Sequence, residues 1–131
     1  MAGNISDYAE NIMLNYILRG GSGAPAAWGV GLSEGSPTDS SGSEVASASG
    51  YTRQAASFVL ATSGTATNAA AITFSSAAAS FTVKGMQLWD TTGVAIDAGN
   101  MLWRGTLAAS KIVTNGDALV FAIGAISITL D

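Results

Sequence analysis

The chain contains no histidine and no cysteine, and charge is scarce: five Lys and Arg against nine Asp and Glu, 11% of 131 residues. Soluble domains usually carry about 25%. Without histidine the commonest general base and metal ligand at neutral pH is missing, and without cysteine there is no thiol nucleophile. A serine nucleophile would need a base, and Lys84 and Lys111 stand in no Ser-x-x-Lys pattern. The reading is therefore not an enzyme, with no cofactor and no metal. Disulfide staples are absent too, so durability has to come from packing or oligomerisation.

Low charge beside 48% hydrophobic residues points to a surface covered by neighbours, because a solitary soluble domain keeps charged groups outside. The expected partners are other protein subunits, including further copies of the chain. Net charge is -4, and the five cations, at positions 19, 53, 84, 104 and 111, form no basic patch, so no nucleic acid is expected as partner. Ser, Thr, Gly or Asn interrupts every apolar stretch before 18 residues, so no membrane span is expected. Met1 to Ser6 lacks the basic and hydrophobic regions of a signal peptide, which predicts synthesis in the cytoplasm.

The length suits one domain, taken as residues 1–131. Ile5, Tyr8, Ala9, Ile12, Met13, Tyr16 and Ile17 recur at i, i+3, i+4, i+7 and predict an amphipathic helix over about 5–19. Asn4 or Ser6 can cap it, Asp7 and Glu10 suit its positive end, and Arg19 with Gly20-Gly21 closes it. From about residue 26 onward the periodicity falls to two between turn signals, which predicts a β body. The candidate strands are Ala27 to Leu32, Tyr51 to Leu60, Ala70 to Phe74, Phe81 to Trp89, Met101 to Leu107 and Ala118 to Leu130.

Glycine marks a parity change in two of these strands, at Gly85 and Gly124, as a bulge or corner would. Asn115-Gly116-Asp117 is a hairpin signal. The fold class is thus mainly β: a β-sandwich or jelly-roll-like domain with an N-terminal amphipathic α-helix. Ser33 to Gly50 is a long Ser- and Gly-rich loop, either a surface excursion or an arm that orders against a neighbour.

Candidate chemistry is thin. Asp90 and Asp97 flank a turn and imitate a glycosidase pair, but Asx residues in such places bond their own backbone. Glu34, Asp39 and Glu44 share one loop without the dense spacing of a calcium site. Trp28, Trp89 and Trp103 fit a sugar-stacking platform on chemistry alone, but core or interface burial is the stronger reading.

Several stretches resemble a family of small tailed-phage virion structural proteins. They are Asn4 to Tyr8 with Glu10-Asn11 and Leu14 to Gly20, then Pro37-Thr38-Asp39, Gly42 and Glu44-Val45, then Gly50 to Ala55. Trp103 to Leu107, Ser110-Lys111, Asn115 to Asp117 and Ile128 to Asp131 complete the likeness. The chain departs from the pattern at Ala26-Ala27-Trp28-Gly29-Val30-Gly31-Leu32-Ser33 and in its alanine-rich patches, Ala69 to Ala71 and Ala77 to Ala79. The resemblance implies a phage virion protein made in the host cytoplasm. Such proteins are often labelled tail fibre protein, and some small phage β proteins of this size decorate capsids.

The expected role is capsid decoration or cementing, with the major capsid protein or neighbouring virion subunits as partners and many copies acting together. The alternative is a tail or tail-fibre component serving fibre attachment or host recognition. The expected contact residues are Ile5, Tyr8, Ile12, Tyr16 and Arg19 on the helix, and Glu34, Asp39 and Glu44 in the loop.

Overall fold

The computed structural model describes residues 3–20, 25–46, 49–92 and 98–130, without the side chains of residues 3, 4, 15, 17 and 19. Strand β1 (Gly3–Ile5) leads into helix α1 (Asp7–Arg19). Ser6 makes that junction. Its backbone N–H donates to the Leu102 carbonyl at 3.1 Å, its hydroxyl accepts the Ala9 N–H at 3.3 Å as an N-cap, and the same hydroxyl donates to the Met101 carbonyl. Asp7 and Glu10 occupy the first turn, where the helix dipole favours acids. At the other end Gly20 takes a left-handed φ of 64°, the usual way to stop a helix.

The β body follows as β2 (Gly29–Ser33), β3 (Gln54–Ala55), β4 (Thr65–Thr67), β5 (Ile72–Phe74), β6 (Phe81–Trp89), β7 (Met101–Val113), β8 (Leu119–Phe121) and β9 (Ser127–Thr129). One antiparallel sheet runs in the order β1-β7-β6-β2-β3, and two ribbons, β4-β9 and β5-β8, lie outside it. Register places Val30 and Leu32 on the same face as Leu88 and Met86, with Trp103 and Ile5 continuing the row. This face joins Ile72, Phe74 and Ile126 in one hydrophobic core, with Phe121 and Ile128 against it. Tyr51 stacks on Phe74 at 5.9 Å, and Phe121 meets Phe74 edge-on at 6.3 Å. Sheet against ribbons is the two-layer, mainly β arrangement the sequence predicts.

The parity change at Gly85 is a real irregularity: Val83 pairs with Lys111, whereas Gly85 pairs with Thr106. A Cβ at Gly85 would lie 2.7 Å from the Gly105 carbonyl oxygen and 3.0 Å from Pro37, so only glycine lets the strands and the overlying loop approach this closely. A second shift pairs Trp89 with Met101 and Leu88 with Trp103, leaving Leu102 as the extra residue. Both Leu102 and Trp103 consequently reach the helix side of the sheet, where they line one cleft.

Three expected elements differ from what forms. The predicted strand over 51–60 shrinks to Gln54–Ala55, because the chain passes its hydrogen bonds on from β2 to residues 67–69. Ala56 N–H donates to Trp28 O at 2.9 Å, and Val59 N–H to Thr67 O at 2.9 Å. Residues 118–130 split at Gly124 (φ 76°), so that β8 pairs with β5 and β9 with β4. The Asn115-Gly116-Asp117 turn forms but closes no hairpin. Gly116 N–H donates to Ala77 O and Ala77 N–H to Asp117 O, at 2.8 and 2.9 Å. That clamp directs the chain to the other layer, where β8 finds β5 rather than β7.

Candidate functional site

Two regions stand out, one closed and polar, the other open and apolar. The closed one lies under the long loop. Glu44 bridges back to Ser33 at the end of β2, past the two residues that β3 pairs, and Val45 N–H donates to Leu32 O at 3.0 Å. Beneath it the Glu44 carboxylate receives Arg53 Nη2 at 2.6 Å and Arg53 Nε at 2.8 Å, with both side chains only 1% exposed. A bidentate geometry of this kind is the strongest form of the pair.

Arg53 Nη1 also donates to Thr91 Oγ1 at 2.8 Å and to the Ala98 carbonyl at 2.6 Å. Its guanidinium lies 3.8 Å from the centroid of the Trp89 ring, a cation–π contact. The Tyr51 hydroxyl donates to Glu44 at 2.8 Å and accepts the Leu32 N–H at 2.9 Å. Burial first, then the neighbouring Glu44 charge, pushes the Tyr51 phenol well above its ordinary value, so it stays protonated and able to donate.

Gly31 makes this packing possible. A Cβ there would sit 2.6 Å from Gln87 Oε1, 2.9 Å from Glu44 Oε1 and 3.0 Å from the Tyr51 hydroxyl. The loop is tied down at two further points: Gln87 Nε2 donates to the Gly42 carbonyl, and Arg104 pairs with Asp39 at 3.1 Å near the surface. The long loop is therefore a lid folded onto its own sheet.

That settles where the loop's expected contact residues lie. Glu34 and Asp39 are exposed, with Asp39 held by Arg104, whereas Glu44 is enclosed and its carboxylate spent on Arg53 and Tyr51. Glu44 thus departs from the expectation of an exposed contact residue, because a nearby buried cation claims it. The three carboxylates do not converge, and among the described residues no group of three or more Asp or Glu is placed to hold a metal. Asp90 accepts the Asn100 N–H and side-chain amide, both at 2.8 Å, building its turn. Asp97 lies outside the described residues.

The open region is the helix. On its sheet-facing stripe, cover falls away along the axis: Ala9 is 8% exposed, Ile12 half-buried, Met13 36% exposed and Tyr16 67%. These positions share one face at i, i+3, i+4, i+7, so the helix overhangs the body with its apolar stripe uncovered. Leu14 and Leu18, on the opposite side, are exposed as well, Leu18 by 75%. Under the covered end lies an apolar cleft of ≈ 250 Å³, lined among others by Ile5, Ile12, Trp28, Leu102, Trp103 and Leu130.

Of the expected helix contacts, Ile5 and Ile12 line this cleft, Tyr8 and Tyr16 are exposed, and the Arg19 side chain lies outside the described set. The tryptophans divide: Trp89 and Trp103 are buried, and Trp28 is exposed. With Trp89 under Arg53 and Trp103 in the core, those two rings are structural.

Sequence reasoning missed Arg53 as the cation at the centre of the network. The available signal was weak: Tyr51 and Arg53 stand two apart in an extended segment and so share a face. Gly42, Glu44, Tyr51 and Arg53 all lie in stretches that carry the family resemblance, and here they are gathered into one enclosed cluster.

The described residues thus combine an enclosed polar cluster with an apolar helix surface that stays exposed. Residues 4–129 match the family model described as Podophage GP4 fiber I protein gp80. The chain belongs to that family, a family of small tailed-phage virion structural proteins labelled as fibre. Among curated proteins no match is found. The family description supports the virion-structural part of the expected role and a place in the particle. It favours the fibre alternative and gives no support to capsid decoration.

Proposed function

We propose that the protein is a structural subunit of a podophage fibre, held in the particle by apolar surface contacts and acting through them rather than through catalysis. The observation that carries this reading is the overhanging helix with its adjoining cleft, an apolar surface that the chain's own fold leaves uncovered. Contiguous exposed apolar surface on a monomer marks interaction sites. The lid region serves the fold instead: it fastens the long loop so that the sheet beneath it is a rigid support. The expected contacts Ile5, Tyr8, Ile12 and Tyr16 belong to the proposed surface, with Arg19 at its end in the sequence. Neighbouring virion subunits are the proposed partners.

The test is to count and locate the protein in purified particles, by quantitative mass spectrometry against the major capsid protein and by antibody-fragment labelling viewed by electron microscopy. A small number of copies confined to fibres is the expected result. Labelling spread over the head at a ratio near one copy per capsid subunit would overturn the fibre reading in favour of shell decoration.

A further inference from the structure

We infer that a small polar pocket at the tip of the lid binds one neutral, hydroxyl-rich ring, the chemistry of a single sugar residue. Such binding goes beyond the fibre reading and stands without it.

Three parts of the fold meet at the pocket. Helix α1 brings Tyr8, the lid brings Asp39 and Ser40, and the end of β6 with the turn that follows brings Trp89, Gly99 and Asn100. The lid's tip is held as a tight turn, with Thr38 N–H donating to Ser41 O at 2.8 Å. The space measures ≈ 170 Å³, below the roughly 300–1,000 Å³ of sites for drug-sized ligands, which suits one ring and not an extended molecule.

Trp89 is the residue that points to a ligand. Its side chain is only 3% exposed, and its indole N–H is buried without an acceptor among the described residues. Arg53 occupies the face of the ring, so the N–H at the ring's edge is what Trp89 has left to offer. A buried donor left unpaired costs about 1–3 kcal/mol, and native structures keep few of them. An acceptor held in the pocket relieves that cost.

The remaining groups select a neutral ligand that both donates and accepts. Arg104 balances the charge of Asp39 at 3.1 Å, so the pair draws in neither an anion nor a cation, while the carboxylate keeps lone pairs for hydroxyl donors. Asn100 gives its N–H and its side-chain amide to Asp90, which leaves its Oδ1 to accept. The Ser40 hydroxyl serves either way, and Tyr8 adds an exposed ring and phenol. One donor in need of an acceptor, beside several acceptors in need of donors, is matched by neighbouring hydroxyl groups on one ring, whose C–H face suits an aromatic wall.

Proton–nitrogen correlation spectra of the full chain test this, because each of its three tryptophans gives one indole N–H signal. The probes are glucose, galactose, mannose, rhamnose and N-acetylglucosamine, each as the free sugar and as the methyl glycoside, titrated to millimolar concentration with glycerol as the control. The Trp89 signal is expected to shift saturably with at least one sugar and not with glycerol, while the Trp103 signal stays in place. Binding of both forms would assign the pocket to the terminal residue of a glycan, and binding of the free form alone would assign it to a free sugar. Ser40→Tyr, which fills the pocket from an exposed position, is expected to lose the shift with the rest of its spectrum native. If that spectrum is disturbed, Tyr8→Ala is measured in its place with the same expectation. A Trp89 signal that moves with no sugar, moves equally with glycerol or still moves in the variant would overturn the proposal. The fibre reading is untouched by any of these outcomes, since particle labelling decides it.

Discussion

The lid over β2 and β6 and the end of α1 solve opposite problems. Under the lid, charged groups are shut away from water and paired internally: Glu44, Arg53 and Tyr51 bond one another, and Trp89 covers the guanidinium. At the helix end, apolar groups stand in water unsatisfied. Enclosed charge is costly unless every partner is in place, so the first region tolerates few substitutions. Exposed leucine costs the isolated fold almost nothing to change, so the second is free to serve a neighbour. The difference separates what holds the protein together from what it presents.

The comparison can be broken at the lid first. Glu44→Gln leaves Arg53 enclosed without its counter-charge, and a loss of about 3–5 kcal/mol is expected, read as a lowered urea midpoint. Gly31→Ala forces a methyl group into the space shared by Gln87, Glu44 and Tyr51. It should cost about 1–3 kcal/mol by overpacking, measurable in the same titration.

Tyr51→Phe deprives Glu44 of a donor and the Leu32 N–H of an acceptor, at about 1–2 kcal/mol. It also changes the alkaline limb. Unfolded tyrosine ionises near pH 10, whereas burial and Glu44 keep the folded phenol protonated to higher pH. The native protein binds the proton longer, so its stability is complete below about pH 10 and falls above it by about 1.4 kcal/mol per pH unit. Denaturant midpoints followed from pH 9 to 11 should show this component in the native chain and lose it in Tyr51→Phe. Smallest on the fold is Leu18→Asp, expected within about 0.5 kcal/mol by the same unfolding measurement.

Much of the architecture was legible in the sequence, for identifiable reasons. Helix α1 was readable because Ala9, Ile12, Met13 and Tyr16 keep a 3.6-residue period and Ser6 is a capping residue, whereas Ile5, counted into that stripe from the sequence, belongs to β1 and pairs with Trp103. Strand β6 was readable because its alternation changes parity at a glycine that the structure places at a register shift. The hairpin expected at Asn115-Gly116-Asp117 failed because turn chemistry fixes only a local bend. The partner of β8 was chosen by the distant clamp on Ala77.

The lid network was harder still, since Glu44 and Arg53 become partners only through the loop's return to β2. From the sequence, Glu44 was one acidic residue in a Ser- and Gly-rich stretch, indistinguishable from Glu34. The uncovered helix end was half legible. Leu14 and Leu18 fell off the main stripe, but nothing in the pattern told that the stripe itself would outrun the sheet at Tyr16.

The most direct test is incorporation into particles of two altered chains, Leu14→Asp/Leu18→Asp on the helix and Glu34→Gln/Asp39→Asn on the exposed part of the lid, each first shown to fold. The account predicts that the helix variant is missing from purified virions while the lid variant is present at the native copy number. Normal incorporation of the helix variant, or loss of the lid variant alone, would contradict it.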